Sequence, residues 1–248
     1  MSNPKAVSKD KFDAVLFDLD GVITATAKVH AICWKKMFDE FLRRRPDQPF
    51  EPFNIQTDYQ VHVDGKLRED GVRSFLNSRG IYLAEGESAD PPSYETIHGL
   101  GKLKDGMFKE ILHTEGVEVY GRAVELVHQL RSQGIKTAVV SASKNCRAVL
   151  EAAGIDNLFD VRVDGVVADQ LNLAGKPAPD KFLKAAEQLG VKPDRSVVVE
   201  DAISGVQAGR AGRFGLVVGV DRKGQADELR KNGADVVVSD LGELLRRE

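Results

Sequence analysis

Short apolar runs rich in β-branched residues recur along the chain and alternate with longer segments whose apolar residues follow a helical period. The runs have the length of β-strands, and most have Gly, Asp or Ser at one end. They cover residues 14–17, 136–140, 196–199, 215–218 and 235–238. The helical spacing predicts helices at 122–133, 147–153, 179–189, 202–209 and 223–232. This alternation predicts an α/β fold with a doubly wound, Rossmann-like parallel sheet.

The stretch between the first two predicted strands lacks this alternation. Helical patterns cover residues 31–44, 71–78 and 105–113, and a polar loop with two prolines covers 85–93. The simplest layout is an α-helical cap domain, residues 27–116, inserted into a catalytic core formed by residues 1–26 and 117–248.

Composition narrows the functional class. The 248 residues are 42% hydrophobic and carry a net charge of −3, so no basic field favours nucleic acid. No apolar stretch is long enough for a membrane span or a signal peptide. The two cysteines, Cys33 and Cys146, have neither disulfide-framework nor zinc spacing. We therefore expect a cytoplasmic protein that contacts neither membrane nor nucleic acid.

Charged and polar residues stand where the predicted strands end. Because ligands bind beyond the carboxyl ends of parallel strands, these side chains are expected at one rim of the sheet. The set is Asp18 and Asp20 after the first strand, Ser141 after the second, Lys176 in the turn before helix 179–189, and Glu200 and Asp201 after the third strand.

Crowded carboxylates require a cation, and Mg²⁺ suits oxygen ligands best. One carboxylate beside the metal can attack phosphorus, and a second carboxyl two residues on can transfer protons. Lysine and serine would neutralise the transferring group. A lone Asp-x-Asp-Gly is also typical of a turn or a helix cap, and a lysine before proline of a solvated turn. Their joint occurrence at successive strand ends favours catalysis.

These motifs resemble those of the haloacid dehalogenase-like phosphatase superfamily: DLDGVIT, a serine after a strand, a lysine before proline, and VVVED. Within that superfamily, FDLDGVIT, SASKN, GKPAPD and the Glu-Asp pair before a Gly-containing helix are similar to the β-phosphoglucomutase-like branch. The resemblance covers nearly the whole chain and is tighter in the core than in the cap.

The resemblance implies a role for each candidate site residue of the catalytic core. It also implies a cis peptide bond between Lys176 and Pro177. Asp18 would be the nucleophile and Asp20 the general acid and base. The metal ligands would be Asp18, Asp20 through its backbone carbonyl, Glu200 and Asp201. The transferring phosphate would be held by Ser141, Ala142 and Lys176, with Asn145 lining the site.

In the cap, VDGKLRED resembles the loop that grips the second phosphate of a sugar bisphosphate, which gives that role to Gly65 and Arg68. A surface arginine in a turn is the alternative reading of Arg68. Thr26 and His30 match hinge positions that couple cap closure to catalysis, although His30 also reads as a packed histidine.

The cap also departs from the branch. Asp64 stands where the branch has a lysine, although Lys66 could partly compensate, and Lys104 could add a further positive charge. The cap has extra residues around 43–59 and 81–93. These differences leave open both the sugar phosphate and the outcome of the reaction.

The leading expectation is isomerisation of β-glucose 1-phosphate to glucose 6-phosphate by a monomer, through an aspartyl-phosphate and a bisphosphate intermediate. A phosphatase acting on a sugar phosphate is the alternative. A phospho-aspartate receiver module also clusters acids, a hydroxyl and a lysine around Mg²⁺, but it is about half this length and has no cap. A cap-bearing protein that binds without catalysis is the fourth possibility.

Overall fold

The computed structural model describes residues 7–45 and 49–245. These residues form two compact units, and the chain passes from one unit to the other between Ala25 and Thr26 and again between Gly116 and Val117. The first unit combines the segment up to Ala25 with everything from Val117 onward, and the second is Thr26–Gly116. Part of the stretch 43–59, which the sequence predicts to enlarge the cap, lies outside the described residues.

Strands and helices alternate through the first unit. The strands are β1 (Ala14–Phe17), β2 (Lys136–Val140), β3 (Val161–Val163), β4 (Ser196–Glu200), β5 (Leu216–Val220) and β6 (Val236–Val238). The helices, numbered along the whole chain, are α1 (Thr26–Arg43), α2 (Arg68–Ser78), α3 (Ile97–Glu115), α4 (Gly121–Ser132), α5 (Cys146–Ala152), α6 (Gly165–Leu171), α7 (Asp180–Leu189), α8 (Ile203–Ala211) and α9 (Ala226–Lys231).

The six strands form one parallel sheet in the order β3-β2-β1-β4-β5-β6. β1 lies between β2 and β4. From β1 the chain first adds β2 and β3 on one side, and then adds β4, β5 and β6 on the other side. All residues of β1 and β4 are buried, as expected for strands covered by helices. The doubly wound fold is therefore confirmed, and its switch point lies at the carboxyl end of β1.

The apolar face of α7 packs on the sheet. Phe182, Ala185 and Leu189 share a buried cluster with Leu16 of β1 and Val198 of β4. Their spacing follows the helical period, so one face of α7 enters the core. Full burial of a residue such as Phe182 contributes about 1.5–3 kcal/mol. This packing fixes the start of α7 near the carboxyl ends of the central strands.

One strand and one α-helix of the first unit, β3 and α6, were not predicted. β3 is an edge strand of three residues whose middle residue, Arg162, is exposed, so it offers little apolar pattern. Helix α6 begins with Gly165, Val166 and Val167, residues of low helix propensity. Its start is stabilised by Asp164, whose Oδ1 accepts hydrogen bonds from the amides of Val166 and Val167 at 3.0 Å.

Two predicted boundaries are wrong for identifiable reasons. The strand predicted at 215–218 begins one residue later, because the amide of Gly215 donates to the carbonyls of Pro193 and Ser196 in a turn. The helix predicted from 223 begins at Ala226, because Oδ1 of Asp221 accepts from the amides of Lys223 and Gln225. Such an Asx turn delays the helix by three residues.

Aromatic residues form the core of the second unit. The rings of Trp34, Phe38, Phe53 and Phe75 contact one another with centroid separations of 4.2–5.3 Å. Phe38 is fully buried at their centre. Helices α1, α2 and α3 contribute to this cluster, and a short π-helix, Tyr59–Val63, packs beside α2. The helical character predicted for this segment is confirmed.

Helix α3 begins eight residues before its predicted start. The side chain of Thr96 accepts a hydrogen bond from the amide of Gly99 at 2.9 Å, which caps the helix. Glycines at 99 and 101 weaken the helical pattern in the sequence, so the beginning of α3 was missed. No helix within residues 7–45 and 49–245 has the length and apolar character needed to cross a membrane.

Candidate active site

The turn after β1 carries the two aspartates of DLDG. The amide of Asp18 donates to the Val199 carbonyl at 2.9 Å, which continues the pairing of β1 with β4. The amide and hydroxyl of Thr24 then donate to the Leu19 carbonyl and close the turn. Gly21 has a φ of 94°, and a Cβ there would overlap the carboxylate of Asp201. Glycine therefore lets this turn approach the end of β4.

Lys176 enters the same place from the turn before α7, where its peptide bond to Pro177 is cis. Its ammonium donates to Oδ1 of Asp18 at 2.5 Å and to the carboxylate of Glu200. All three side chains are buried. One buried cation thus lies between two buried carboxylates, an arrangement that leaves negative charge in excess.

Three carboxylates form a candidate metal centre. Oxygen atoms of Asp18, Glu200 and Asp201 lie within 4.8 Å of one another, and all three residues are buried. The other oxygen of Glu200 accepts from the Ala202 amide at 3.1 Å. A Cβ at Gly205 would overlap the Glu200 carboxylate, so the start of α8 also leaves room for this group. An all-oxygen set of this size fits a hard divalent cation.

The charges in this cluster shift one another's pKa values. Burial first, and then the negative charge of Glu200, raises the pKa of Asp18 well above its usual value. Burial alone would lower the pKa of Lys176, but Asp18 and Glu200 raise it above its usual value. Lys176 therefore keeps its charge at neutral pH. Asp18 is ionised most readily when a further cation offsets its neighbours.

Asp20 faces a turn that follows β2. Its Oδ2 accepts from the Ser141 hydroxyl at 3.4 Å. Oγ of Ser141 accepts from the Ser143 amide at 3.0 Å, and the Ser143 hydroxyl accepts from the Asn145 amide at 3.1 Å. Ala142 belongs to this turn, and Asn145 is buried just before α5. Ser141, Ala142 and Asn145 are therefore brought together beside Asp20.

A loop after β5 also reaches the cluster and was not predicted as part of it. Lys223 lies 3.6 Å from the Asp201 carboxylate, and the side-chain amide of Gln225 donates to the Asp201 carbonyl at 3.2 Å. Arg222 donates to the Gly21 carbonyl at 2.9 Å. The sequence offered a clue, since these residues follow a strand of the same sheet. The prediction of a helix from 223 obscured it.

Gly65 and Arg68 belong to the second unit, at the start of α2. Gly65 has a φ of 70°, a conformation that favours glycine. The guanidinium of Arg68 pairs with Asp105 at 2.8 Å and with Glu69 at 3.1 Å. Asp64, the residue before Gly65, is buried. Arg68 therefore already has two carboxylate partners within its own unit.

Thr26 and His30 lie on α1 of the second unit, and both are buried. The His30 ring stacks on Phe108 with centroids 4.1 Å apart, and its Nδ1 shares a hydrogen bond with the ammonium of Lys104. A protonated Lys104 has no acceptor lone pair, so in that state it donates and Nδ1 of His30 accepts. The positive charge predicted at Lys104 thus lies in the interior of this unit.

Comparison with known proteins defines the class of this molecule. Residues 12–213 match the haloacid dehalogenase-like hydrolase model, so the chain belongs to that family. A β-phosphoglucomutase of Mycobacterium bovis is 50% identical over 95% of this chain and 92% of its own length. That of Bacillus subtilis is 32% identical over 93% and 91%.

A solved structure leads to the same branch. The crystal structure of β-phosphoglucomutase from Clostridium difficile superposes with a TM-score of 0.75 at 26% identity, covering 94% of this chain and 93% of that one. Together with the sequence relatives, it supports the predicted β-phosphoglucomutase-like branch of the family.

Proposed function

We propose that this protein is a Mg²⁺-dependent phosphomutase that converts β-glucose 1-phosphate to glucose 6-phosphate through a phosphorylated Asp18. The observation that carries the proposal is the buried cluster in which Asp18 meets Lys176, Glu200 and Asp201. The similarity to β-phosphoglucomutases over most of the chain supports the choice of substrate.

In the first half-reaction a carboxylate oxygen of Asp18 attacks the phosphorus at position 1 of glucose 1,6-bisphosphate, the bond from phosphorus to the sugar oxygen breaks, and glucose 6-phosphate is the leaving group. Asp20 gives a proton to the leaving oxygen. In the second half-reaction Asp20 takes a proton from the 6-hydroxyl of β-glucose 1-phosphate, and that oxygen attacks the phosphoryl group on Asp18. The bond from phosphorus to Asp18 breaks, which frees the carboxylate and regenerates the bisphosphate. Such proton transfer contributes about 10²–10⁴-fold to the rate. The contact of Asp20 with Ser141 beside the candidate phosphate turn supports this assignment.

Asp18, Glu200 and Asp201 would hold the metal, with the carbonyl of Asp20 as a further ligand. When bound, Mg²⁺ would neutralise the carboxylates and polarise the phosphoryl oxygens. Lys176 and the turn at Ser141, Ala142 and Asn145 would orient the transferring group. The donor set is all oxygen and buried, which supports a hard cation of this kind.

In the cap, Gly65 and Arg68 would bind the sugar's other phosphate, and Thr26 and His30 would couple closure to catalysis. Because Arg68 is paired with Asp105 and Glu69, a phosphate must share or replace these partners. We also propose that the protein is a monomer. Its two buried free cysteines support a reducing cytoplasm as its location.

A coupled assay tests the proposal. β-Glucose 1-phosphate and Mg²⁺ are supplied with and without glucose 1,6-bisphosphate, and glucose 6-phosphate and free phosphate are followed together. We expect bisphosphate-dependent glucose 6-phosphate with little free phosphate. Asp18→Asn should abolish turnover, whereas the same change at the exposed Asp227 should not alter it. Full activity in Asp18→Asn would refute the covalent mechanism.

A sugar-phosphate phosphatase is the second candidate, and the carboxylates around Arg68 favour it. Glu69 and Asp105 compete with phosphate for the guanidinium of Arg68, which weakens the binding of a bisphosphate through its distal phosphate. The bisphosphate would therefore dissociate sooner. Water would then accept the phosphoryl group from Asp18. Steady release of free phosphate without glucose 6-phosphate, independent of bisphosphate, would establish this alternative in the same assay.

A further inference from the structure

Lys181 occupies a position on α7 that its helical period assigns to the core. It shares a face with Ala185 and Leu189, four and eight residues further on, and all three are buried. Lys181 is 1% exposed, so its ammonium does not reach solvent. Burying a lysine is costly without compensation. A core position on a helix is normally occupied by an apolar residue, so a lysine at this position is a candidate for a functional role.

The buried amine of Lys181 contacts the backbone of the candidate phosphate turn, residues Ser141–Ser143. Among the described residues it donates one hydrogen bond, to the carbonyl of Ser141 at 3.2 Å. The amide of Ser141 donates to the Val163 carbonyl, and its Oγ accepts from the Ser143 amide. Every polar group of Ser141 therefore has a partner inside the protein, and Lys181 provides the one for the carbonyl.

The charged groups of the candidate active site also shift the pKa of Lys181. Burial and the positive charge of Lys176 lower its pKa to about 7, while Asp18, Glu200 and Asp164 oppose the shift. These groups face it from the ends of three strands and from the turn before α7. Because its pKa lies near neutral, a change of charge nearby changes how often the amine is protonated.

We propose that Lys181 is a positioning residue for phosphoryl transfer, which fixes the Ser141 carbonyl and becomes charged when a phosphate occupies the Ser141–Ser143 turn. This rests on the proposed function, which places the phosphate there. A dianion at the turn favours the ammonium, so phosphate binding takes up a proton at Lys181. The residue holds the turn in shape and compensates the incoming charge from the protein interior, where its amine contacts the Ser141 carbonyl.

Calorimetric binding of inorganic phosphate, with MgCl₂ throughout, tests this in wild type, Lys181→Met and Lys184→Met at pH 6, 7.5 and 9. Methionine keeps the length and removes the charge. Lys184 is the matched control, since it lies on the same helix and pairs with Glu187 at the surface. Comparing proteins at one pH cancels the titration of phosphate itself, and thermal unfolding verifies that each variant is folded.

We expect wild type to bind phosphate about tenfold more tightly than Lys181→Met at pH 6, which corresponds to a rise of about one unit in the pKa of Lys181 on binding. The ratio should fall as the pH rises to 9, where Lys181 is neutral with or without phosphate and only its hydrogen bond to the Ser141 carbonyl distinguishes it from methionine. Lys184→Met should match wild type at every pH. In wild type labelled with ¹³C-lysine, a Cε resonance titrating near pH 7 should titrate about one unit higher with phosphate.

A ratio that is the same at all three pH values would overturn the proposal, because it would show a purely steric effect. Equal affinities would overturn it too. If Lys181→Met does not fold, the absence of a phosphate-dependent shift in the lysine titration of wild type is decisive against it. Failure of wild type to bind phosphate at any pH would overturn both this inference and the proposed function, whereas normal turnover with no effect of Lys181→Met would refute the inference alone.

Discussion

Lys176→Met offers the sharpest test of the charge balance in the cluster. The change removes the ammonium between Asp18 and Glu200 and keeps an unbranched side chain. Breaking a buried ion pair from one side typically costs about 3–5 kcal/mol, because the remaining charge is uncompensated. Since burial already raises the pKa of Asp18, protonation of this carboxyl will absorb part of the cost. We therefore expect a loss of about 3 kcal/mol in the free energy of unfolding at pH 7 in EDTA.

The sign of the pH dependence follows from the same groups. A carboxyl whose folded pKa is raised binds a proton more readily in the folded than in the unfolded protein. The folded state therefore loses stability as pH rises through the folded pKa and regains it as pH falls. The deficit of Lys176→Met should accordingly be smaller at pH 5 than at pH 8.

Urea unfolding with EDTA and with MgCl₂ measures both effects. A cation present at a hundred times its Kd stabilises the folded state by about 2.7 kcal/mol. We expect Mg²⁺ to stabilise Lys176→Met more than wild type, because the ammonium no longer competes for Asp18 and Glu200. The control Lys184→Met, at a half-exposed surface pair, should stay within about 0.5 kcal/mol of wild type.

Unfolding of Lys176→Met at the wild-type urea concentration in EDTA would refute this prediction, since the cluster would then tolerate its charges without the lysine. A deficit that grows towards pH 5, or a lack of Mg²⁺ stabilisation in both proteins, would refute it as well.

Three further predictions address other parts of the molecule. Gly205→Ala should reduce turnover at least tenfold in the coupled assay, because its Cβ displaces Glu200, while far-ultraviolet circular dichroism stays unchanged. Phe38→Ala should lower the free energy of unfolding by about 3–5 kcal/mol in urea, since it leaves a cavity in the aromatic core. Asp13→Asn should reduce stability at pH 7, and the difference from wild type should vanish as pH falls from about 4 to 2, because hydrogen bonding to Arg195 holds the pKa of Asp13 at about 2.

Local sequence patterns were sufficient for most of the core. A buried strand followed by a polar residue is a local feature, and five of the six strands were predicted from it, two of them with the observed boundaries. Errors arose where side chains bond to the backbone, as at Asp221 and Thr96, because hydrogen bonds of this kind override helical or strand patterns. β3 was missed because a three-residue edge strand has too few positions to show a period.

The residues of the candidate site were also predicted from local patterns, whereas the contacts among them were not. The sequence alone placed Asp18, Asp20, Ser141, Lys176, Glu200 and Asp201 at the ends of successive elements, and parallel strands bring such ends together. What it could not supply was which group contacts which. The ammonium of Lys176 reaches Asp18 across 158 positions of chain, a distance in sequence that no local pattern encodes.

Other features depend on packing alone. Lys181 reads as an ordinary helical lysine until the packing of α7 on the sheet encloses it, and only then do its desolvation and its contact with Ser141 appear. Likewise, the pairing of Arg68 with Asp105 requires α2 and α3 to lie side by side. The sequence by itself determined five of the six strands, most of the helices and the residue types at their ends, because these follow from short-range patterns. Tertiary structure decided burial, charge pairing and pKa values, because these depend on neighbours that are distant in the chain.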